Sequence, residues 1–131
     1  MANVRSGCVT KIFRFEAAHN LPNHNGKCRG LHGHSYQVEV IAQGKIHPVR
    51  GEPDDGMVLD FAEISSVWKG CLEPKLDHKY LNESLAMECP TAEHIALWIL
   101  EAFRDAGIHV ATVRLHETTT GYVEVAYESQ T

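Results

Sequence analysis

The chain has 131 residues, 44% of them hydrophobic and 22% charged, which is typical of a single globular domain spanning residues 1–131. Its net charge of −5 and the scattered placement of its 12 Lys and Arg argue against a nucleic-acid partner, which requires clustered positive charge. No apolar run approaches the roughly 20 residues that span a bilayer, and the first residues lack the apolar stretch of a signal peptide. The four cysteines lie far apart and form no Cys-x-x-Cys pair, so we expect free thiols and a cytoplasmic protein.

Alternating hydrophobicity predicts two strands near the start of the chain, over residues 10–18 and 34–43, separated by a loop rich in Gly and Asn. A helix is predicted to begin after a cap at Asp60 and to continue to about residue 72. Pro74 is expected to prevent its continuation, because proline removes a helical hydrogen bond.

The second half of the chain predicts one more helix and a hairpin. The helix begins after a cap at Thr91 and ends near residue 106, before a glycine. Strands over residues 110–117 and 122–127 flank a Thr-rich turn. The order β-β-α-α-β-β predicts an α+β fold, with two helices on one face of a four-stranded antiparallel sheet. The two exposed edges of such a sheet favour pairing with other subunits.

Three histidines are predicted to lie on one side of the first two strands. In His32-Gly33-His34 the two imidazoles are two residues apart, so on a strand they point to the same side. His19 ends the preceding strand, and antiparallel pairing would place it beside the other two. An isolated His-x-His pair is more often exposed to solvent, but burying three unpaired imidazoles together would be unfavourable without a metal. Three imidazoles are a typical ligand set of a catalytic zinc site, which leaves a fourth position open.

A cysteine lies close to these histidines in the sequence. Cys28 precedes His32 by four residues, in a polar loop between Lys27 and Arg29. Neighbouring positive charge favours the thiolate form of a cysteine. The sequence leaves two roles open for Cys28, a fourth metal ligand or a catalytic base.

Two acidic positions also stand out. Asp77 and His78 are adjacent, and in a tight turn the carboxylate can orient the imidazole, although an ordinary surface turn is the alternative. Glu117 continues the apolar face of the third long strand. A carboxylate there suggests a hydrogen-bond donor on a ligand, and the alternative is a strand-end side chain that reaches solvent.

Six motifs occur in the order Phe15-Glu16-Ala17-Ala18-His19, Cys28-Arg29-Gly30-Leu31-His32-Gly33-His34-Ser35-Tyr36, Met57-Val58-Leu59-Asp60-Phe61, Leu76-Asp77-His78, Pro90-Thr91-Ala92-Glu93 and Glu117-Thr118. In this combination the chain resembles the 6-pyruvoyltetrahydropterin synthase family over nearly its whole length. The Cys-x3-His-Gly-His spacing is most similar to the bacterial branch of that family, which makes 6-carboxy-5,6,7,8-tetrahydropterin for queuosine biosynthesis.

The resemblance implies a tunnelling fold, in which trimers join their sheets edge to edge and two trimers stack into a homohexamer with active sites at subunit interfaces. It implies a zinc-dependent lyase that converts 7,8-dihydroneopterin triphosphate to 6-carboxy-5,6,7,8-tetrahydropterin and releases acetaldehyde and triphosphate. The alternatives are elimination of triphosphate to form 6-pyruvoyltetrahydropterin, an aldolase-like cleavage of the side chain, and a non-catalytic zinc- or pterin-binding module.

The resemblance also implies roles for individual residues. Carried over by position, Zn²⁺ would be bound by His19, His32 and His34. Cys28 would abstract a proton from the substrate side chain, assisted by Asp77 and His78 of a neighbouring subunit. Glu117 would accept hydrogen bonds from the pterin, and Thr91 would lie along the edge of the pterin ring.

Overall fold

The computed structural model describes residues 5–127, which form one sheet with helices packed on one face. The strands, in the spatial order β3-β1-β2-β4-β5, are β1 (Ser6–His19), β2 (His32–Lys45), β3 (Lys79–Tyr80), β4 (Val110–Thr118) and β5 (Gly121–Ala126). The four longer strands pair antiparallel, and β3 pairs parallel to the end of β1. The predicted α+β class with its antiparallel sheet is confirmed. The short fifth strand makes the sheet mixed, which the sequence pattern did not predict.

The helices are α1 (Phe61–Val67), α2 (Glu73–Leu76), α3 (Leu81–Ser84) and α4 (Ala92–Asp105), and a π-helical turn (Trp68–Leu72) joins α1 to α2. The Asp60 side chain accepts a hydrogen bond from Ala62 N–H (2.9 Å), so the predicted cap is confirmed. The prediction that Pro74 prevents continuation was wrong, because the helical path runs on to Leu76. Pro74 lies in the first turn of α2, where a missing N–H leaves no partner unsatisfied. No helix within residues 5–127 has the length and apolar character required to cross a membrane.

The core lies between the sheet and the helices. Alternate residues of the central strands point into it, and all of the following are at most 2% exposed: Phe15, Tyr36, Val38, Val40, Val113 and Leu115. The Phe15 and Tyr36 rings stack with their centroids 4.8 Å apart, and α4 contributes Ile99 and Phe103, which are fully buried. The same alternation continues to the end of the β1–β2 hairpin, where histidines replace the apolar residues.

Candidate metal centre

Three histidines meet at one end of the β1–β2 hairpin. The antiparallel register places His19 opposite His32, and His34 opposite Ala17. The ring centroids of His19 and His32 are 4.6 Å apart, those of His19 and His34 are 5.2 Å apart, and those of His32 and His34 are 4.9 Å apart. The alternation that buries Tyr36 turns these rings to the same face of the sheet. The structure thus brings together the three histidines that the sequence proposed as metal ligands.

The glycine between two of these histidines allows the strands to approach closely. A Cβ atom added to Gly33 would stand 3.3 Å from the carbonyl oxygen of Ala17, which is tighter than an ordinary van der Waals contact. A side chain at this position would require the Ala17 carbonyl to shift by a few tenths of an ångström. The small residue therefore helps to keep His32 and His34 within reach of His19.

Main-chain carbonyls fix the tautomers of two of the rings. Nδ1–H of His19 donates to the carbonyl of Pro90 (2.8 Å), and Nδ1–H of His32 donates to the carbonyl of Gly30 (2.8 Å). Because a carbonyl oxygen can only accept, the proton is on Nδ1, and Nε2 of each neutral ring carries a lone pair. The Nε2 atoms of His19, His32 and His34 are buried, and none of them makes a well-directed hydrogen bond within residues 5–127. Converging lone pairs of this kind favour a metal ion.

A carboxylate completes the cluster. Glu117 Oε1 lies 2.8 Å from His34 Nε2 and 3.4 Å from His19 Nε2. One potential ligand atom from each of the four side chains lies within 4.8 Å of the others. Contact with His19 lowers the pKa of the Glu117 carboxyl more than burial raises it, so the side chain is ionised at neutral pH. Its negative charge adds to the attraction of the site for a cation.

The carboxylate affects its two neighbouring imidazoles differently. Burial alone would lower the pKa of His19, but the contacts with Glu117 and with the Pro90 carbonyl outweigh it and raise the pKa. For His34, burial outweighs the attraction of Glu117, and the pKa is lowered. A metal ion must displace any proton that the imidazole nitrogens hold, so we expect binding to weaken as the pH falls.

The donor set suits a divalent first-row metal. Imidazole nitrogen and carboxylate oxygen are ligands of Zn²⁺, and three protein ligands with one open position are typical of its catalytic sites. Carbonyl acceptors behind the imidazoles, such as those of Pro90 and Gly30, are the usual means by which proteins orient metal-binding histidines. The four-residue group can therefore hold a metal ion.

Cys28 lies in a short 3-10 turn (Lys27–Arg29) of the loop between β1 and β2 and is half-buried. The N–H of Leu21 donates to the Cys28 carbonyl (2.7 Å), which fastens this turn to the end of β1. The described part of the chain places Glu117, rather than the Cys28 thiol, as the fourth group beside the histidines. The Cys28 thiol is therefore not part of the metal-binding group that the described residues form.

Asp77 and His78 form a tight turn against β1. Glu16 N–H donates to one oxygen of Asp77 (2.9 Å), and His78 N–H donates to the Glu16 carbonyl (2.6 Å). The first of these bonds is the main cause that lowers the pKa of the Asp77 carboxyl. The other oxygen of Asp77 lies 3.0 Å from His78 Nδ1, so the carboxylate orients the ring. His78 has a φ of 59°, a strained value for a residue with a side chain.

The ring of His78 is available to a partner outside its own turn. Its side chain is 78% exposed, and it lines an open cavity of about 590 Å³ together with His34. The sequence left open an oriented Asp–His pair and an ordinary surface turn. The structure has an exposed turn in which the Asp77 carboxylate contacts the His78 ring.

Thr91 caps α4, as predicted, by accepting a hydrogen bond from His94 N–H (3.2 Å). The residue before it is Pro90, whose carbonyl accepts a hydrogen bond from His19, so the start of α4 helps to position one ring of the candidate metal group. His94 is exposed, and its Nδ1 lies 2.8 Å from the Cys89 carbonyl, which keeps it away from the metal group.

Two contacts behind the histidines could not be predicted from the sequence. The carbonyl of Pro90 is 71 residues from His19, and a main-chain acceptor has no signature in the sequence. The hydroxyl of Tyr36 lies 3.4 Å from His19 Nδ1. Burial raises the pKa of Tyr36, so the hydroxyl stays neutral beside the site.

Comparison with known proteins agrees with this geometry. A profile of the family described as 6-pyruvoyl tetrahydropterin synthase matches residues 8–128. A 6-carboxy-5,6,7,8-tetrahydropterin synthase from Synechocystis is 43% identical over 114 residues, which cover 86% of this chain and 87% of the relative. A dihydroneopterin monophosphate aldolase from Pyrococcus furiosus is 38% identical over 69% of this chain and 68% of its own.

The fold is also that of a solved structure. The 6-pyruvoyl tetrahydropterin synthase of Caenorhabditis elegans superposes with a TM-score of 0.81 and 22% identity, covering 98% of this chain and all of the other. The resemblance inferred from the motifs is therefore confirmed by the profile, the relatives and the fold. The chain belongs to the 6-pyruvoyl tetrahydropterin synthase family.

Proposed function

We propose that this chain is a zinc-dependent lyase that converts 7,8-dihydroneopterin triphosphate to 6-carboxy-5,6,7,8-tetrahydropterin, with release of acetaldehyde and triphosphate. The observation that carries the proposal is the convergence of three buried imidazole nitrogens in a chain 43% identical to a protein named 6-carboxy-5,6,7,8-tetrahydropterin synthase. The Cys-x3-His-Gly-His spacing further favours the carboxy product over the pyruvoyl product. The corresponding pathway is queuosine biosynthesis.

The residues of the site would divide the chemistry between them. When bound by His19, His32 and His34, zinc supplies a Lewis acid beside the hydroxyls of the substrate side chain. Cys28, as thiolate, takes the proton from the neighbouring carbon. The Asp77–His78 pair carries that proton onward, because the carboxylate holds the ring in one tautomer. Glu117 accepts hydrogen bonds from the pterin ring, and Thr91 lies along its edge.

The proposal includes a homohexamer, a dimer of trimers, with Asp77 and His78 acting in the site of a neighbouring subunit. Exposure of the His78 ring supports a role between subunits, since that ring is free to contact another chain. The two edges of the described sheet, β3 and β5, are where copies would pair. The proposal also takes residues 1–131 as one domain and places the protein in the cytoplasm, which agrees with its free cysteines.

Replacement of Glu117 by glutamine is expected to raise the KM for the pterin substrate by about 10- to 100-fold, because a hydrogen bond to a charged group contributes about 1.5–3 kcal/mol. The amide keeps the size of the side chain but loses one acceptor and the charge. Steady-state kinetics measures the change in KM for the pterin, and zinc titration measures any change in zinc affinity. Glu101→Gln is the control at an exposed carboxylate of α4. A large loss of zinc affinity with an unchanged KM would instead make Glu117 a metal ligand.

Product analysis tests the reaction directly. The zinc-loaded protein is incubated with 7,8-dihydroneopterin triphosphate, and the pterins and aldehydes are identified by mass spectrometry. We expect 6-carboxytetrahydropterin and acetaldehyde in equal amounts. 6-Pyruvoyltetrahydropterin as the main product would overturn the assignment.

An aldolase is the second candidate, because the Pyrococcus furiosus relative carries that name at 38% identity. An aldolase would produce a hydroxymethyl pterin, and the triphosphate would stay attached to the side-chain fragment that is released. The same mass spectra therefore distinguish all three reactions. No turnover of any of these kinds by protein with one bound zinc per chain would favour a non-catalytic binding module.

A further inference from the structure

The pairing between β1 and β3 continues beyond the end of β3 through a side chain. The last main-chain pair joins Ala18 to Tyr80, after which the chain turns into α3 with the fully buried Leu81. Beyond this pair, the Asn82 side-chain amide binds the main chain of Asn20. Asn20 N–H donates to Asn82 Oδ1 (3.1 Å), and Asn82 Nδ2–H donates to the Asn20 carbonyl (2.8 Å). An offset of 62 residues relates both pairs, so the amide imitates the next step of the parallel ladder in register.

His19 lies between these two steps. Its main chain is held on one side by the last strand pair and on the other side by the two bonds between Asn20 and Asn82. The Asn82 Nδ2 also donates to the carbonyl of Glu88 (3.3 Å), on the segment that leads to Pro90. One side chain thus fixes both the backbone that carries the imidazole and the backbone that carries its carbonyl acceptor.

The same network reaches the cysteine loop. The Asn20 side chain donates from Nδ2 to the Arg29 carbonyl (3.3 Å) and accepts a hydrogen bond from the Tyr80 hydroxyl (2.6 Å). The Leu21 N–H holds the Cys28 carbonyl (2.7 Å). The position of the thiol therefore depends on how the backbone immediately after His19 is held.

We propose that Asn82 is a positioning residue of the metal centre, which orients His19 toward the metal and keeps the Cys28 loop beside it. The part that concerns Cys28 rests on the proposed function, whereas the part that concerns metal binding does not. Outer-shell partners of metal ligands typically change metal affinity or activity by about 10- to 100-fold when they are removed. Asn82 is one contact further from the metal than such an outer-shell partner, because it acts through the main chain at Asn20 and at Glu88.

The test compares Asn82→Ala with Asn82→Asp and with Glu83→Ala, an exposed control on the same helix. Zinc affinity is measured by competition with a chromophoric chelator, well below the melting temperature of each zinc-free variant. We expect Asn82→Ala to weaken zinc binding by about 10-fold or more and to lower kcat with little change in KM. Asn82→Asp keeps the acceptor for Asn20 N–H but sets a carboxylate oxygen against the carbonyls of Asn20 and Glu88, so we expect it to weaken zinc binding at least as much as Asn82→Ala.

Wild-type zinc affinity in folded Asn82→Ala protein would overturn the proposal. The proposal would also be overturned if the loss of zinc affinity were fully explained by the fraction of protein that is unfolded in the melting curve. If Asn82→Ala does not fold, Asn82→Asp decides by the same two measurements. Weakened zinc binding together with an unexpected product would leave the role of Asn82 intact and overturn only the proposed function.

Discussion

Replacement of His34 by alanine is expected to weaken zinc binding by about 10²–10⁴-fold and to remove turnover at ordinary zinc concentrations. The figure follows if the roughly 10–16 kcal/mol of a structural zinc site is shared among three or four ligands, since about 1.4 kcal/mol corresponds to a factor of ten. His34 is the most informative of the three ligands to change, because its side chain is 19% exposed, whereas that of His19 is 1% exposed and packed in the core. Losing His34 should therefore leave the fold intact.

The measurement is a zinc titration of the metal-free protein, together with thermal melting in the presence and absence of zinc. Zinc should raise the melting temperature of the wild type and have a much smaller effect on His34→Ala. His109→Ala is the matched control, because His109 lies exposed in the loop before β4. Binding of one zinc ion per chain to His34→Ala with wild-type affinity would refute the proposed ligand set.

Replacement of Cys28 by alanine is expected to lower kcat by about 10²–10⁴-fold, the usual contribution of a general base, while zinc stays bound. Metal affinity should survive because Glu117 and the three histidines converge without the thiol. The turn that carries Cys28 should also survive, since its contact with Leu21 is made by the main chain.

Kinetics and metal content of the same preparation separate these effects. Cys71→Ala is the control, because that cysteine is exposed on the π-helical turn and far along the chain from the histidines. Full turnover by zinc-loaded Cys28→Ala would show that another group takes the proton. A loss of zinc that parallels the loss of activity would instead restore Cys28 as a metal ligand.

The site was predictable to the extent that it depends on strand phase. His19, His32 and His34 are placed by the period of two that also sorts core from surface, so sequence spacing alone indicated that their rings converge. The caps at Asp60 and Thr91 were equally visible, because a short polar side chain before an apolar helical stripe is a local signal. Local rules therefore account for the elements and for the core of the ligand set.

The remainder depends on contacts between distant segments. The strand Lys79–Tyr80 is too short to show a period, and it exists because β1 offers it a free edge. Pro74 was misjudged because it occupies the first turn of a new helical segment rather than the interior of an old one. The approach of Glu117 to His34 could not be predicted from the sequence, because it depends on how β4 lies against β2. The sequence suggested a ligand or solvent as the partner of this carboxylate, not the histidines.

The β1–β2 hairpin pairs every residue of a 14-residue strand in one unbroken register. A slip by a single residue would expose Phe15 and Tyr36 and would also turn the metal ligands to the opposite face. Incorrect pairing of this hairpin would therefore remove both the core contacts and the convergence of the histidines. Metal binding by the chain would then report that the two strands are correctly paired. A one-residue insertion within either strand would break that phase, whereas the loops over residues 20–31 and after Lys45 can change length without doing so.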